Sequence, residues 1–222
     1  MRLNFLKIRA IPALFWTSPK ALTFKPPITS FFMLIVGLTI FGLGETLLLA
    51  AGVGVSPWTV FAQGVSFRSG WSIGVSTAVI SSFVLLTWWF LKQKPGLGTI
   101  LNIIIISLVL DFCLPFLPKF DAVFPKILMA MTGVLVTGFG GAIYLIANLG
   151  PGPRDGLMTG LQRLTNYPLA AVRGSIEISV VGFGVLLGGK AGLGTLFFAF
   201  GIGPALAISI MLLDKLFGEN VE

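Results

Sequence analysis

The chain has 222 residues, of which 55% are hydrophobic and only 10% charged, with a formal net charge of +7. A soluble domain carries about 25% charged residues, so this chain lacks the polar surface to cover a globule in water and reads as an all-α membrane protein. There is no histidine and a single cysteine, Cys113, which excludes an intramolecular disulfide, a Cys/His metal site and histidine-based catalysis. No cofactor and no enzymatic reaction is expected.

The lead, residues 1–27, carries Arg2, Lys7, Arg9, Lys20 and Lys25 and no acid. The positive-inside rule accounts for this charge without a nucleic-acid partner and places the N-terminus in the cytoplasm. No small-residue cleavage pattern precedes the first apolar run, so that run is expected to be a retained anchor. Asn4 to Trp16 mixes Phe, Leu, Ile and Trp with Lys and Arg, which suits an interfacial helix or a loosely ordered tail.

Six spans follow, each set by an apolar run and its polar or Gly/Pro flanks: residues 28–51, 72–91 and 98–117, then 124–147, 168–187 and 193–217. Trp88 and Trp89 read as interfacial anchors of the second span. Residues 57–67 and 153–163 are too short to cross a core of ~30 Å. Each begins with Pro at a first helical position, after Ser56 or Gly152 at the cap. Both read as half-helices that stay on one side of the membrane.

The chain contains itself twice. Shifted by 96 positions, Lys94-Pro95-Gly96-Leu97-Gly98-Thr99 falls on Lys190-Ala191-Gly192-Leu193-Gly194-Thr195, and Gly37, Gly42, Gly44, Gly54, Pro57 and Gly64 fall on Gly133, Gly138, Gly140, Gly150, Pro153 and Gly160. Residues 28–117 and 124–217 are thus two repeats of three spans and a half-helix. Three crossings is an odd number, so the second copy should be inverted relative to the first, with both termini cytoplasmic. The loop charges follow this orientation clearly in the first half and weakly in the second. Eight spans in a parallel repeat is the rival reading, disfavoured by the length of the half-helices.

Chemistry is expected where the copies differ. Arg154 and Asp155 stand at the start of the second half-helix, where the first has Trp58 and Thr59. A helix N-terminus with free N–H groups beside a guanidinium suits an anionic group. Arg173 and Glu177, four apart on one face of the fifth span, read as a pair; their counterparts are Thr77 and Ser81. Glu45 lies inside the first span with Gly141 as counterpart, and a lone carboxylate at that depth needs a cation, for which Arg173 is the candidate, or a proton. Asp111 reads as a residue near a wet helix end, and Asn102 as an interhelical hydrogen-bonding group. The candidate substrate-binding or gating set is Arg154, Asp155, Glu45, Arg173, Glu177, Ser56 and Trp58; the Lys-x-Gly-Leu-Gly-Thr turns read as helix connectors.

The runs Gly52 to Trp58, Lys94 to Thr99 and Gly150 to Met158 resemble the YczE-like bacterial integral membrane proteins, grouped with YyaS and YitT. The resemblance spans nearly the whole chain beyond the lead, and Gly-Pro-Arg-Asp-Gly is its most specific element. It implies a multi-pass protein of the bacterial cytoplasmic membrane and assigns no reaction. The residues point to a small-solute transporter, organic anions included, or the substrate-binding membrane subunit of one. The alternative is a non-transporting membrane partner or assembly factor. Expected partners are the lipid bilayer and a small molecule, with room for a homodimer or a membrane partner protein.

Overall fold

A computed structural model describes residues 11–218. Among these residues all regular structure is helical: α1 (Ile28–Ala51), α2 (Pro57–Ser69), α3 (Ile73–Thr87), α4 (Leu97–Cys113, extended by a 3-10 turn at Leu114–Phe116), α5 (Val123–Ile146), α6 (Pro153–Thr165), α7 (Leu169–Leu186) and α8 (Leu193–Phe217). The punctuation is chemical. Gly52 and Gly70 end α1 and α2 at φ 69° and 75°, a left-handed conformation open to residues without a Cβ. Pro57 and Pro153 open the half-helices at a position whose N–H would have no partner.

Five helices are long and apolar enough to cross a membrane, and a sixth span results if α2 and α3, bent by 113°, count as one. The expected second span is the exception. α3 stops at Thr87, after about 22 Å of rise, instead of running to residue 91. Helical turns follow Thr87, and Trp88, the C-cap, docks on α6. Its ring packs on Gly156, its indole N–H donates to the carbonyl of Pro153 at 3.0 Å, and only 1% of the residue is exposed. Trp88 is therefore a buried bolt between α3 and α6, and only the exposed Trp89 keeps the character of an interfacial anchor.

α1 and α5 form the most extensive helix pair. They pack antiparallel: Gly37 abuts Gly140 and Tyr144, while Gly133 abuts Gly44 and Leu48. Glycines here let two backbones touch, as lipid-embedded helices require. The contacts are reciprocal at the 96-residue offset. Gly98 N–H donates to Leu149 O at 2.7 Å, and Gly194 N–H donates to Val53 O at 2.8 Å. Each Gly-Leu-Gly-Thr turn is thus seated on the broken backbone of the other repeat. Likewise α2 lies along α7 through Gly64 and Gly184, and α6 meets the turn after α3 through Gly160 and Leu91.

The lead is partly integrated into the core. Residues 1–10 lie outside the described residues, and residues 11–27 form no helix. Leu14, Trp16 and Ser18 are nonetheless buried. Ser18 exchanges hydrogen bonds with the end of α5: its N–H donates to Ala147 O, and its carbonyl accepts from Asn148 Nδ2. Trp16 packs edge-on against Phe217 of α8 at 5.6 Å. Residues 11–18 pack against the core without forming a helix, and residues 4–10 of the expected interfacial stretch lie outside the described residues.

Candidate functional site

The starts of the two half-helices converge. Arg154, at the second position of α6, places its guanidinium carbon 5.4 Å from the ring centroid of Trp58, at the second position of α2. These two residues occupy equivalent places in the two repeats. Both line a cavity of about 160 Å³ walled by parts of α1, α2, α4, α5, α6, α7 and α8 and open on one side. By volume it admits on the order of ten waters.

Arg173 and Glu177 reach the same cavity from α7, and Asp155 from α6. Arg173 Nε donates to Glu177 Oε1 at 2.8 Å, which makes the expected i,i+4 pair real. Asp155 accepts through Oδ2 from the hydroxyl of Tyr144 at 2.9 Å. Arg154 differs from these groups. Among the described residues no side chain lies close enough to form an ion pair with it, and the Trp58 ring is its one specific contact.

Glu45 sits beneath the start of α2, 1% exposed. Its Oε2 accepts from Ser56 Oγ at 2.7 Å and from Thr59 Oγ1 at 2.8 Å, and the two hydroxyls lie 2.9 Å apart. Oε1 is buried with no partner among the described residues. The expectation that Arg173 would neutralise Glu45 is corrected: Arg173 is committed to Glu177, and hydroxyls hold Glu45. A short hydroxyl reaches Glu45 because the chain doubles back at Gly52–Pro57, a reversal invisible to helix periodicity. The start of α2 therefore already holds an internal carboxylate, and the start of α6 carries its own in Asp155. Such carboxylates suit the positive end of the helix dipole. What remains open toward the cavity is the Arg154 guanidinium, not a bare helix terminus.

Of the residues singled out from sequence, Arg154, Asp155, Arg173, Glu177 and Trp58 share the cavity wall, while Glu45 and Ser56 form a buried layer under α2. Three contributors were missed. Tyr144 reads in the sequence as one more large residue of an apolar span, yet its hydroxyl orients Asp155. Asn102 lines the cavity wall from α4. Thr59 completes the cradle of Glu45. The available signal for all three was a hydrogen-bonding group within or beside an apolar segment, which in lipid needs a partner. Asp111 lies apart from the cavity: it accepts from Gly74 N–H at 2.7 Å and from Ser72 Oγ, capping α3. Among the described residues no group of three metal-ligating side chains occurs.

Residues 28–210 match a family described as a family of unknown function, DUF6198. The chain is similar to an uncharacterized protein of Haemophilus influenzae, 40% identical over 210 residues that cover 95% of each chain. It is also similar to two Bacillus subtilis proteins. One is the uncharacterized membrane protein YczE, 30% identical over 78% of this chain and 82% of the relative. The other is the uncharacterized protein YyaS, 26% identical over 72% and 82%. No solved structure matches. With most of its length matched, and with apolar helices arranged for a bilayer, this membrane protein belongs to the DUF6198 family and to the YczE-like group within which its relatives fall.

Proposed function

We propose that the protein is a small-solute transporter, or the substrate-binding membrane subunit of one, whose site is the cavity between the two half-helix starts. The observation that carries the proposal is Arg154: a guanidinium turned to a cavity and left without an ion-pair partner among the described residues. Burying a cation at this depth costs at least a few kcal/mol, and a ligand's anionic group would offset that cost.

The two halves are inverted three-helix repeats in this proposal. The antiparallel packing of α1 on α5 and the reciprocal turn contacts support it, because a two-fold axis perpendicular to α1 produces both. Alternating access would rock one repeat against the other around Trp58 and Arg154. The protein would sit in the bacterial cytoplasmic membrane with both ends inside. The basic lead and its packing on the last turn of α8 support that orientation.

The test is uptake into proteoliposomes with a panel of small organic anions, with and without imposed ion gradients. Wild type should show saturable flux that Arg154→Ala abolishes and Arg154→Lys reduces. Absence of gradient-driven flux across the panel, or full activity of Arg154→Ala, would refute the proposal. A second reading, a non-transporting partner of another membrane complex, is favoured by the bareness of α7, in which only Val172 and Gly184 are buried. Native purification that yields a stoichiometric membrane partner would support it.

A further inference from the structure

The central cavity has a neighbour. Between α7 and α8 runs an apolar groove of about 460 Å³, lined by Gly174, Ile178, Gly182, Leu196 and Ala199. Gly174 and Gly182 face open space, so a Cβ there would meet nothing within 4 Å. Glu177 belongs to the wall of both the groove and the cavity. A polar chamber and a hydrocarbon-lined slot on the lipid side of a bare helix therefore meet at one carboxylate.

The polar chamber has unspent hydrogen-bonding capacity of both signs. Arg154 has no ion-pair partner among the described residues. Glu177 uses one oxygen on Arg173, and Asp155 uses one on Tyr144. The wall thus carries two guanidinium groups and two carboxylates, with Glu45 behind. Arg173 and Glu177 are paired to each other, so the charges left facing the cavity are Arg154 and Asp155, of opposite sign, and a ligand carrying both signs would meet both. That suits a zwitterion, with the anionic group on Arg154 and the ammonium on Asp155 and the second oxygen of Glu177.

We propose that the ligand is a single-chain zwitterionic phospholipid, its phosphate and ammonium held in the cavity and its acyl chain lying in the α7–α8 groove. This rests on the cavity being a ligand site and adds the class of ligand and a lateral route from the bilayer. Glu177 stands at the junction, where it contacts the head as the chain emerges.

The test uses the full chain in detergent micelles and native mass spectrometry. Three probes are compared: lysophosphatidylethanolamine, a fatty acid of equal chain length, and phosphoethanolamine, the head alone. The lysolipid should bind one per chain and about tenfold more tightly than either comparison probe, a difference of about 1.4 kcal/mol. Gly182→Leu and Gly174→Leu fill the groove without touching the cavity wall, and each should weaken lysolipid binding by about tenfold or more while leaving phosphoethanolamine binding unchanged. Arg154→Ala should weaken both. Unchanged lysolipid binding in both groove variants overturns the lateral route. A fatty acid that binds as tightly as the lysolipid overturns the zwitterionic head. If phosphoethanolamine binding depends on Arg154 but the groove variants have no effect, this inference fails and the cavity proposal stands. If no probe binds, the inference also fails, and the uptake assay with small anions decides the cavity proposal on its own.

Discussion

The antiparallel crossing of α1 and α5 can be loaded by a single methyl group. A Cβ at Gly37 would lie 2.6 Å from Tyr144 N and 3.0 Å from both Gly140 O and Tyr144 Cβ, where ordinary contact begins at 3.4 Å. At Gly133 it would lie 2.8 Å from both Gly44 O and Leu48 N. The obstructing atoms are largely backbone, so no side chain can swing away, and the helices would have to part by somewhat under ~1 Å. Overpacking of this kind costs about 3 kcal/mol, and the higher helix propensity of Ala returns about 1 kcal/mol, for a net loss of about 2 kcal/mol per substitution. Gly174→Ala and Gly182→Ala meet no atom within 4 Å and carry only the propensity gain. Gly141→Ala, 3.3 Å from a flexible Leu206 methyl, should fall between. Equilibrium unfolding by SDS from mixed micelles, followed by tryptophan fluorescence, would rank the series. If Gly37→Ala and Gly133→Ala are as stable as Gly174→Ala, backbone contact at this crossing is not what holds the two halves together, and the reasoning fails.

Two further outcomes follow from buried groups. Glu45→Ala should lose about 2–3 kcal/mol in the same unfolding measurement: two charge-assisted hydrogen bonds disappear, partly offset because Ser56 and Thr59 can bond each other. Glu45→Gln keeps an acceptor oxygen and should lose less than half as much, so equal losses in the two variants would contradict the hydroxyl cradle. Trp16→Ala empties a site 1% exposed against Phe217 and should cost about 3 kcal/mol. Proteolysis of the lead should quicken in that variant, and an unchanged cleavage rate would argue that residues 14–18 do not anchor it.

Much of the fold is legible locally. α1 and α8 run over the ranges their apolar stretches mark, and the two half-helices begin at Pro57 and Pro153 as the Pro-cap pattern indicates. Both signals act within one turn of the chain: hydropathy sets depth in the bilayer, and Gly or Pro sets where the backbone can break. The end of α3 was not legible, because the turns that follow Thr87 dock on α6, where the Trp88 indole donates to Pro153 O, 65 residues away. Arg173 and Glu177 could be paired from spacing alone, since four residues make one helical turn.

The sequence by itself determined the solvent, the duplication and the residues whose charges have no place in lipid, because composition, repetition and periodicity are properties of the chain before it folds. Only the tertiary structure decided which of those charges meet. Ser56 and Thr59 take Glu45, Glu177 takes Arg173, and Tyr144 takes one oxygen of Asp155. Each partner is chosen by which short side chain lies within hydrogen-bonding reach after the half-helices fold back, a distance that no spacing rule encodes. Arg154 comes to face the cavity over Trp58, its equivalent in the other repeat, because the two copies bring corresponding positions together where they meet.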